Sequence, residues 1–321
     1  MPILEVNHLK KYFPVTSGVF LRRTGWVHAV DDVSLSVNKG ETLGIVGESG
    51  CGKTTLGRCV MGLYSPTSGT VKVKGRVVET SRGNARKKMS KILQMIFQDP
   101  FESLDPRQTI QQVLEEKYWI HGQGGDHLGQ TISDLVKEVG LLPEVLSKFP
   151  HEFSGGQRQR IGIARAVSLS PEIIICDEPV SALDVSVQSK ILNLLLSLQK
   201  NLGLTYVFIS HDLSVVRHIA DRIAVMYLGK IMEVADNKDL YGQTKHPYTK
   251  ALLSAIPKPD PRSIPQPLPL KGEIPSVENP PSGCRFHTRC PHADGHCAEV
   301  EPELLPNSEV STHLTACHYF R

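Results

Sequence analysis

The chain has 321 residues, 40% of them hydrophobic and 21% charged, enough for one large domain with an appendage or for two domains. Its 36 basic and 33 acidic residues leave a net charge of +3, too near balance for the basic footprint of a nucleic-acid binder. Its longest apolar runs are strand-length, well short of the roughly 18 residues of a membrane helix, and the opening MPILEVNHLKKYF lacks the regions of a secretory signal. A cytosolic chain able to dock on a membrane protein is therefore expected.

Residues 3–7 alternate apolar and polar side chains, as do 70–74, which predicts half-buried strands. Residues 43–46 (LGIV) form a continuous apolar run, the pattern of a strand covered on both faces. It leads into Gly47–Thr54, GESGCGKT, which fits the phosphate loop G-x-x-x-x-G-K-[ST], and then into TTLGRCVMGL with helical spacing. In such a loop glycines let successive N–H groups turn toward phosphate oxygens, and the next helix adds its positive end. Lys53 supplies a charge to the β- and γ-phosphates, and Thr54 offers a hydroxyl to Mg²⁺. Cys51, beside Lys53 and that helix N-terminus, is expected to favour the thiolate and to be open to alkylation unless nucleotide protects it.

From about 107 to 168 helical patterns dominate, as in QTIQQVLEEKYWI and TISDLVKEVGLL. Ser154, Gly155, Gly156 and Gln157 open a helix reading QRQRIGIARAVSL, whose N-terminus offers a second anion site. The run 173–176 (IIIC) ends in Asp177 and Glu178, carboxylates expected at the C-terminal edge of a sheet where ligands bind. A helix over 186–203 comes next, then a third buried strand at 206–209 (YVFI) and His211. These elements predict an α/β core around a largely parallel sheet, with a helical insertion at about 100–160.

The character changes after Gly242. Pro257–Pro281 holds nine of the 22 prolines and reads as an extended connector or an arm laid on the main domain. Beyond it Cys284, Cys290, Cys297 and Cys317 are separated by five, six and nineteen residues. Four thiolates suit Zn²⁺ or an iron–sulfur cluster; the spacing lacks C-x-x-C pairs, but five nearby histidines keep zinc open. A structural role is expected, because so short a segment has few apolar residues for a core of its own.

The phosphate loop, Gln98 in IFQDP, SGGQ at 154–157, CDEPVSALD at 176–184 and His211 in FISHD come in the order found in the ATP-binding subunits of ABC (ATP-binding cassette) transporters, which this chain resembles. The resemblance implies an ABC ATPase, or P-loop NTPase, domain over 1–242 with a helical subdomain at about 100–160, and a Pro-rich, Cys-rich extension over 243–321. It makes Gly47, Glu48, Ser49, Gly50, Cys51, Gly52, Lys53, Thr54 and Thr55 the ATP cradle, with Thr54, Gln98 and Asp177 toward Mg²⁺. Glu178 becomes the general base, Gln98 the sensor of metal and membrane partner, and His211 the switch toward the γ-phosphate. Ser154, Gly155, Gly156 and Gln157 would cover the nucleotide of a second subunit in a head-to-tail dimer, linked by the D-loop Ser181–Asp184. Phe153 stands where the family more often has leucine. Asn7, Lys10 and Tyr12 match the pattern preceding the aromatic that stacks on adenine, which selects Tyr12 over Phe13 and Trp26 although about a dozen extra residues, including Phe20, come after it.

VGESGCGKTTLGR, QMIFQDPFESLDPR, HPYTKALLSAIP and CRFHTRCP are similar to the ATPases of oligopeptide and dipeptide importers, and TTLGR and LYSPTSG to their second, F-type subunit. This closer resemblance implies a peripheral ATPase on the cytoplasmic face of the cell membrane that powers peptide uptake. Its partners would be a second homologous ATPase in a heterodimer, two permeases and, through them, an extracytoplasmic peptide-binding protein, with no nucleic acid. Nickel or another small solute is the alternative cargo, and a non-transport ABC ATPase the alternative class. The resemblance also implies a [4Fe–4S] cluster on the four late cysteines, with zinc as the alternative. A DNA-repair ATPase would need a long coiled coil where only 55 residues separate Gln98 from Ser154. A translation-factor ATPase would need two cassettes, and an exporter half a fused membrane domain.

Overall fold

The computed structural model describes residues 1–18, 22–79, 83–99, 103–256, 268, 270, 272–307 and 312–320. Phe20 and most of the Pro-rich connector, 257–267 with 269 and 271, lie outside the described residues, as do 100–102 at the start of the expected insertion. The chain divides into two compact units, neither a single stretch: 1–37, 41–78 and 210–321 form one, 38–40 and 79–209 the other.

In the first unit the strands Arg22–Asn38, Pro2–Ser17, Ser68–Val73 and Arg76–Val77 lie side by side in that order. The expected alternation is realised as cross-strand pairs, Leu4 with Val73 and Val6 with Val71, all buried. A second sheet takes the order Leu305–Pro306, Leu314–Thr315, Lys230–Asp236, Arg222–Tyr227, Thr42–Val46. Thr42–Val46 is buried at every residue and pairs in parallel with Arg222–Tyr227. Gly44 is required there, since a Cβ would lie 2.4 Å from Val216 of the helix Leu213–Ile219.

The described residues after Ser210 belong to this unit. Leu314–Thr315 pairs antiparallel with Lys230–Asp236, and the buried Glu233 next to that seam accepts hydrogen bonds from Thr244 Oγ1 at 2.9 Å and the Lys245 N–H at 2.7 Å. Its carboxylate also meets His313 Nε2 at 2.7 Å. Burial opposes ionisation of Glu233, but these bonds, His313 first, hold its pKa below the usual value.

In the second unit Leu93–Ile96, Ile173–Asp177 and Thr205–Ser210 form a parallel ladder with Ile173–Asp177 in the middle. Ile173, Ile174, Ile175 and Cys176 are 0% exposed, and each of the three isoleucines contributes roughly 1.5–3 kcal/mol relative to leaving it in water. Over the 100–160 region expected to be a helical insertion lie Ile110–Ile120 and Leu128–Glu138, then short 3₁₀ turns at Pro143–Ser147 and Pro150–Glu152 that lead into the helix Gly155–Val167. Thr109 and Gln112 form a capping box at the first of these helices, which fixes where it starts. The helix expected over 186–203 runs Val185–Leu202 and stops at Gly203, whose φ of 65° ends the helical ladder. Among the described residues no helix is long and apolar enough to cross a membrane.

Candidate nucleotide site and cysteine module

The phosphate loop comes after the buried strand Thr42–Val46 and ends in the helix Lys53–Val60. Gly52 has φ 107°, and a Cβ on it would lie 1.9 Å from the Ala29 carbonyl oxygen, so only glycine fits. Lys53 is 4% exposed, and its ammonium donates to the Gly47 and Glu48 carbonyls at 2.8 and 3.0 Å. Thr54 and Thr55, in the first turn of the helix, are half-buried.

Cys51 corrects an expectation. It is buried, and burial raises its thiol pKa despite Lys53 Nζ at 3.7 Å. The helix end and the lysine charge do not offset the loss of water, so Cys51 is held as the thiol.

Glu48 is a hub that sequence reasoning did not find. Its carboxylate takes two bonds from Arg289, at 2.7 and 3.1 Å, and its N–H donates to the Tyr248 hydroxyl at 3.0 Å. Nothing in the loop motif signals either partner. The only trace is that Arg289 stands between two of the late cysteines.

Tyr12, the residue expected to meet adenine, donates its hydroxyl to Asp31 at 2.5 Å, and its ring centroid lies 4.3 Å from that of His28. The backbone next to His28 is the Ala29 carbonyl that crowds Gly52, so Tyr12, His28 and the phosphate loop are contiguous. Burial opposes the charge on Asp31, yet Tyr12, Lys230, Arg285 and Lys10 hold its pKa below normal. Of the competing aromatics, Phe13 meets the Tyr64 ring edge-on at 5.4 Å, and Trp26 lies under Arg23 at 4.9 Å. His211 is exposed, just after the strand Thr205–Ser210, and the adjacent Asp212 caps the helix Leu213–Ile219.

In the second unit Asp177 ends its strand 2% exposed, and Glu178 comes next with φ 45°. A positive φ is strained for glutamate, and the conformation is held by the Glu178 N–H bond to the Ile209 carbonyl at 3.0 Å. Gln98 Nε2 donates to Glu178 Oε2 at 3.2 Å, so the structure brings together two predicted residues that lie 80 positions apart. Ser181 Oγ donates to the Glu178 carbonyl at 3.1 Å, and Gln188, unnoticed in the sequence, donates to the Val180 and Leu183 carbonyls.

Ser154 caps the helix Gly155–Val167 and forms a reciprocal capping box with Gln157. Phe153 is buried, and the buried Arg158 ties the helix to the Pro150 carbonyl at 2.7 Å, so the capped end is held rigidly. At Gly156 a Cβ would meet Val187 at 2.6 Å.

Cys284, Cys290, Cys297 and Cys317 line one cavity of about 20 Å³, together with His246, Phe286 and other residues. Cys284 and Cys297 are buried, Cys290 and Cys317 half-buried. Burial pushes the Cys284 thiol up to about 11, and the other three cysteines add to the rise. The expected metal site is not evident from ligand geometry: among the described residues no group of three or more His, Cys, Asp or Glu side chains is arranged to hold a metal ion.

The ABC transporter family model matches residues 30–181, and a model described as the oligopeptide/dipeptide transporter C-terminal region matches 232–297. The chain is 52% identical to the oligopeptide transport ATP-binding protein AppF of Bacillus subtilis, over 99% of this chain and 97% of that one. It is 47% identical to the oligopeptide transport ATP-binding protein OppF of Haemophilus influenzae, over 98% and 96%. Among solved structures it resembles the ATP-binding cassette MJ0796, described as a dimer in a post-hydrolysis state bound to ADP and Pi, with a TM-score of 0.64 and 27% identity over 73% of this chain and 98% of that one. The cassette fold carrying these motifs, and relatives at this identity over nearly the whole length, place the chain in the oligopeptide/dipeptide importer family of ABC transporter ATP-binding proteins, the ATPases that power uptake.

Proposed function

We propose that this chain hydrolyses ATP on the cytoplasmic face of the membrane to drive uptake of di- and oligopeptides. In this reading it pairs head-to-tail with a second, homologous ATPase and docks on two permeases fed by an extracytoplasmic binding protein. Residues 1–242 act as the nucleotide-binding domain and 243–321 as an extension of it. The observation that carries the ATPase reading is the Gln98–Glu178 contact on a strained turn directly after the buried Asp177.

Each group's role comes from its chemistry. The N–H groups from Gly50 to Thr55 and the Lys53 ammonium bind the phosphates, with Gly47, Glu48 and Ser49 shaping the loop, and the Tyr12 ring supports the base. Thr54, Asp177 and Gln98 are the residues that would hold Mg²⁺, since a hydroxyl, a carboxylate and an amide oxygen are the hard-oxygen donors it prefers. Gln98 donates through its amide nitrogen to Glu178, and its amide oxygen would be the atom offered to the metal. When bound, Mg²⁺ neutralises charge on the β- and γ-phosphate oxygens. Glu178, one carboxylate oxygen fixed by Gln98, accepts the proton of the attacking water, and His211 steadies the γ-phosphate. Ser154, Gly155, Gly156 and Gln157 present a capped helix end to the partner's nucleotide.

Glu178→Gln keeps the shape and loses the base. ATP binding should persist while steady phosphate release by the assembled transporter falls about 10²–10⁴-fold. Turnover near wild type would remove Glu178 from that role.

A [4Fe–4S] cluster on Cys284, Cys290, Cys297 and Cys317 belongs to the same reading. A single zinc ion needs its four sulfurs about 2.3 Å from one point, whereas a cluster spreads its thiolates over several irons. Four cysteines lining one cavity offer the thiolates that either group would take, and the cluster is the reading kept, with zinc as its alternative. Protein purified anaerobically should be brown, with iron and acid-labile sulfide that Cys284→Ser depletes. Colourless protein with stoichiometric zinc would replace the cluster, and metal-free protein would end both.

A further inference from the structure

The late cysteines and the phosphate loop lie far apart in sequence but are joined in one continuous packing arrangement. Arg289 directly precedes Cys290, and its guanidinium forms a forked pair with Glu48 at 2.7 and 3.1 Å. The Arg289 side chain is 8% exposed and that of Glu48 24%, so water competes little with the pair. Arg289 Nη1 also reaches the Tyr227 hydroxyl at 3.4 Å. Tyr227 packs on Tyr248 at 4.7 Å and meets Phe286 edge-on at 5.4 Å, and all three rings are buried. Phe286 stands two residues after Cys284 and lines the cysteine cavity.

All three polar parts of Glu48 are thus engaged. The carboxylate is held by Arg289, the N–H by the Tyr248 hydroxyl, and the carbonyl accepts from the Lys53 ammonium at 3.0 Å. Gly47, Gly50 and Gly52 all have positive φ, so the loop backbone gains little rigidity from its own sequence. Anchoring Glu48 from outside fixes the loop before nucleotide arrives and lowers the ordering cost of binding. A parallel tie exists on the adenine side, where Arg285, next to Cys284, bonds Asp31 at 2.5 Å and Asp31 in turn holds Tyr12.

We propose that Arg289 and Tyr248 are positioning residues for the phosphate loop, so that the packing of the cysteine module sets how tightly the chain holds ATP. The proposal rests on the ATPase reading above but concerns only nucleotide affinity. Whatever displaces Cys290 or Phe286 moves the groups that hold Glu48, and the effect falls on binding rather than on the base Glu178.

The test is titration of the full-length, anaerobically purified chain with the fluorescent nucleotide mant-ATP and Mg²⁺, with far-UV circular dichroism as a check on folding. Arg289→Gln should raise the Kd about tenfold, as expected for loss of a partly buried charge-assisted pair. Arg289→Lys should recover part of that loss, and Tyr248→Phe should give a smaller rise. Cys290→Ser should also raise the Kd, and the Arg289→Gln/Cys290→Ser double variant should bind no worse than Arg289→Gln, because both changes release the same anchor. An unchanged Kd in folded Arg289→Gln overturns the clamp, and strictly additive losses overturn its link to the cysteines. In the transporter the Arg289→Gln defect should appear in KM for ATP with kcat preserved; a loss in kcat alone would point to a different role. If the wild-type chain bound no mant-ATP, the ATPase reading itself would fall, an outcome separate from failure of the clamp.

Discussion

Two glutamates at the ends of two buried strands are held in opposite ways. Thr42–Val46 and Ile173–Asp177 are each five residues long and buried throughout, and Glu48 and Glu178 come just after them. Glu178 is fixed close to home, by a backbone bond to the neighbouring strand that holds its strained, positive-φ conformation. Glu48 is fixed by Arg289, which lies 241 positions away, and by Tyr248. The difference arises from the backbone that precedes each residue. Glu178 follows its strand directly and its own N–H is tied to the neighbouring strand, whereas Glu48 stands in a loop with three glycines at positive φ and takes its constraints from elsewhere.

The hardest way to break this arrangement is at the loop itself. Gly52→Ala puts a Cβ 1.9 Å from the Ala29 carbonyl at a φ of 107°, and a backbone oxygen cannot step aside as a flexible side chain can. A loss on the order of 4 kcal/mol is expected, read as a collapse of mant-ATP binding together with a lower melting temperature. Full binding by this variant would mean that the loop is freer than its contacts imply.

The second unit can be tested independently through Lys117. Its ammonium is enclosed by the Gln94 side chain and the Arg165 carbonyl, and burial, then Arg165, lowers its pKa to about 7. The unfolded chain keeps this lysine protonated to about 10.4 and so binds more protons across that interval. Stability should therefore rise with pH from 7 to 9.5, by up to about 3 kcal/mol from this group, and Lys117→Met should flatten the rise. A variant whose melting temperature follows the same pH slope as wild type would discard Lys117 as its source.

The smallest effect is expected at Cys51, where burial keeps the thiol protonated. Iodoacetamide under native conditions should modify it far more slowly than after denaturation, and mass mapping would show this. Rapid native labelling at Cys51 would restore the reactive thiolate that the loop motif suggests and weaken the account of a tightly held loop.

Local chemistry made much of the site readable. Gly47, Gly52 and Lys53 are demanded by a backbone that must turn its N–H groups inward, and IIIC before Asp177 announces a strand buried on both faces. Ser154 and Gln157 could be recognised as a helix start because capping is satisfied within four residues. Gln188, His28, Arg285 and Arg289 were not readable in the same way. Each acts through a partner brought near only by folding, and no spacing rule links Arg289 to Glu48.

The sequence alone determined the parallel strand–loop–helix core and the phosphate loop, because these depend on short-range periodicity and backbone geometry, and the order of its ATP motifs carried the resemblance to the cassette class. Tertiary structure decided that Cys51 is a buried thiol, that Gln98 meets Glu178, and that the cysteine tail belongs to the same compact unit as the phosphate loop. Those outcomes turn on exclusion of water and on pairing between distant segments, and both arise only when the chain has closed on itself.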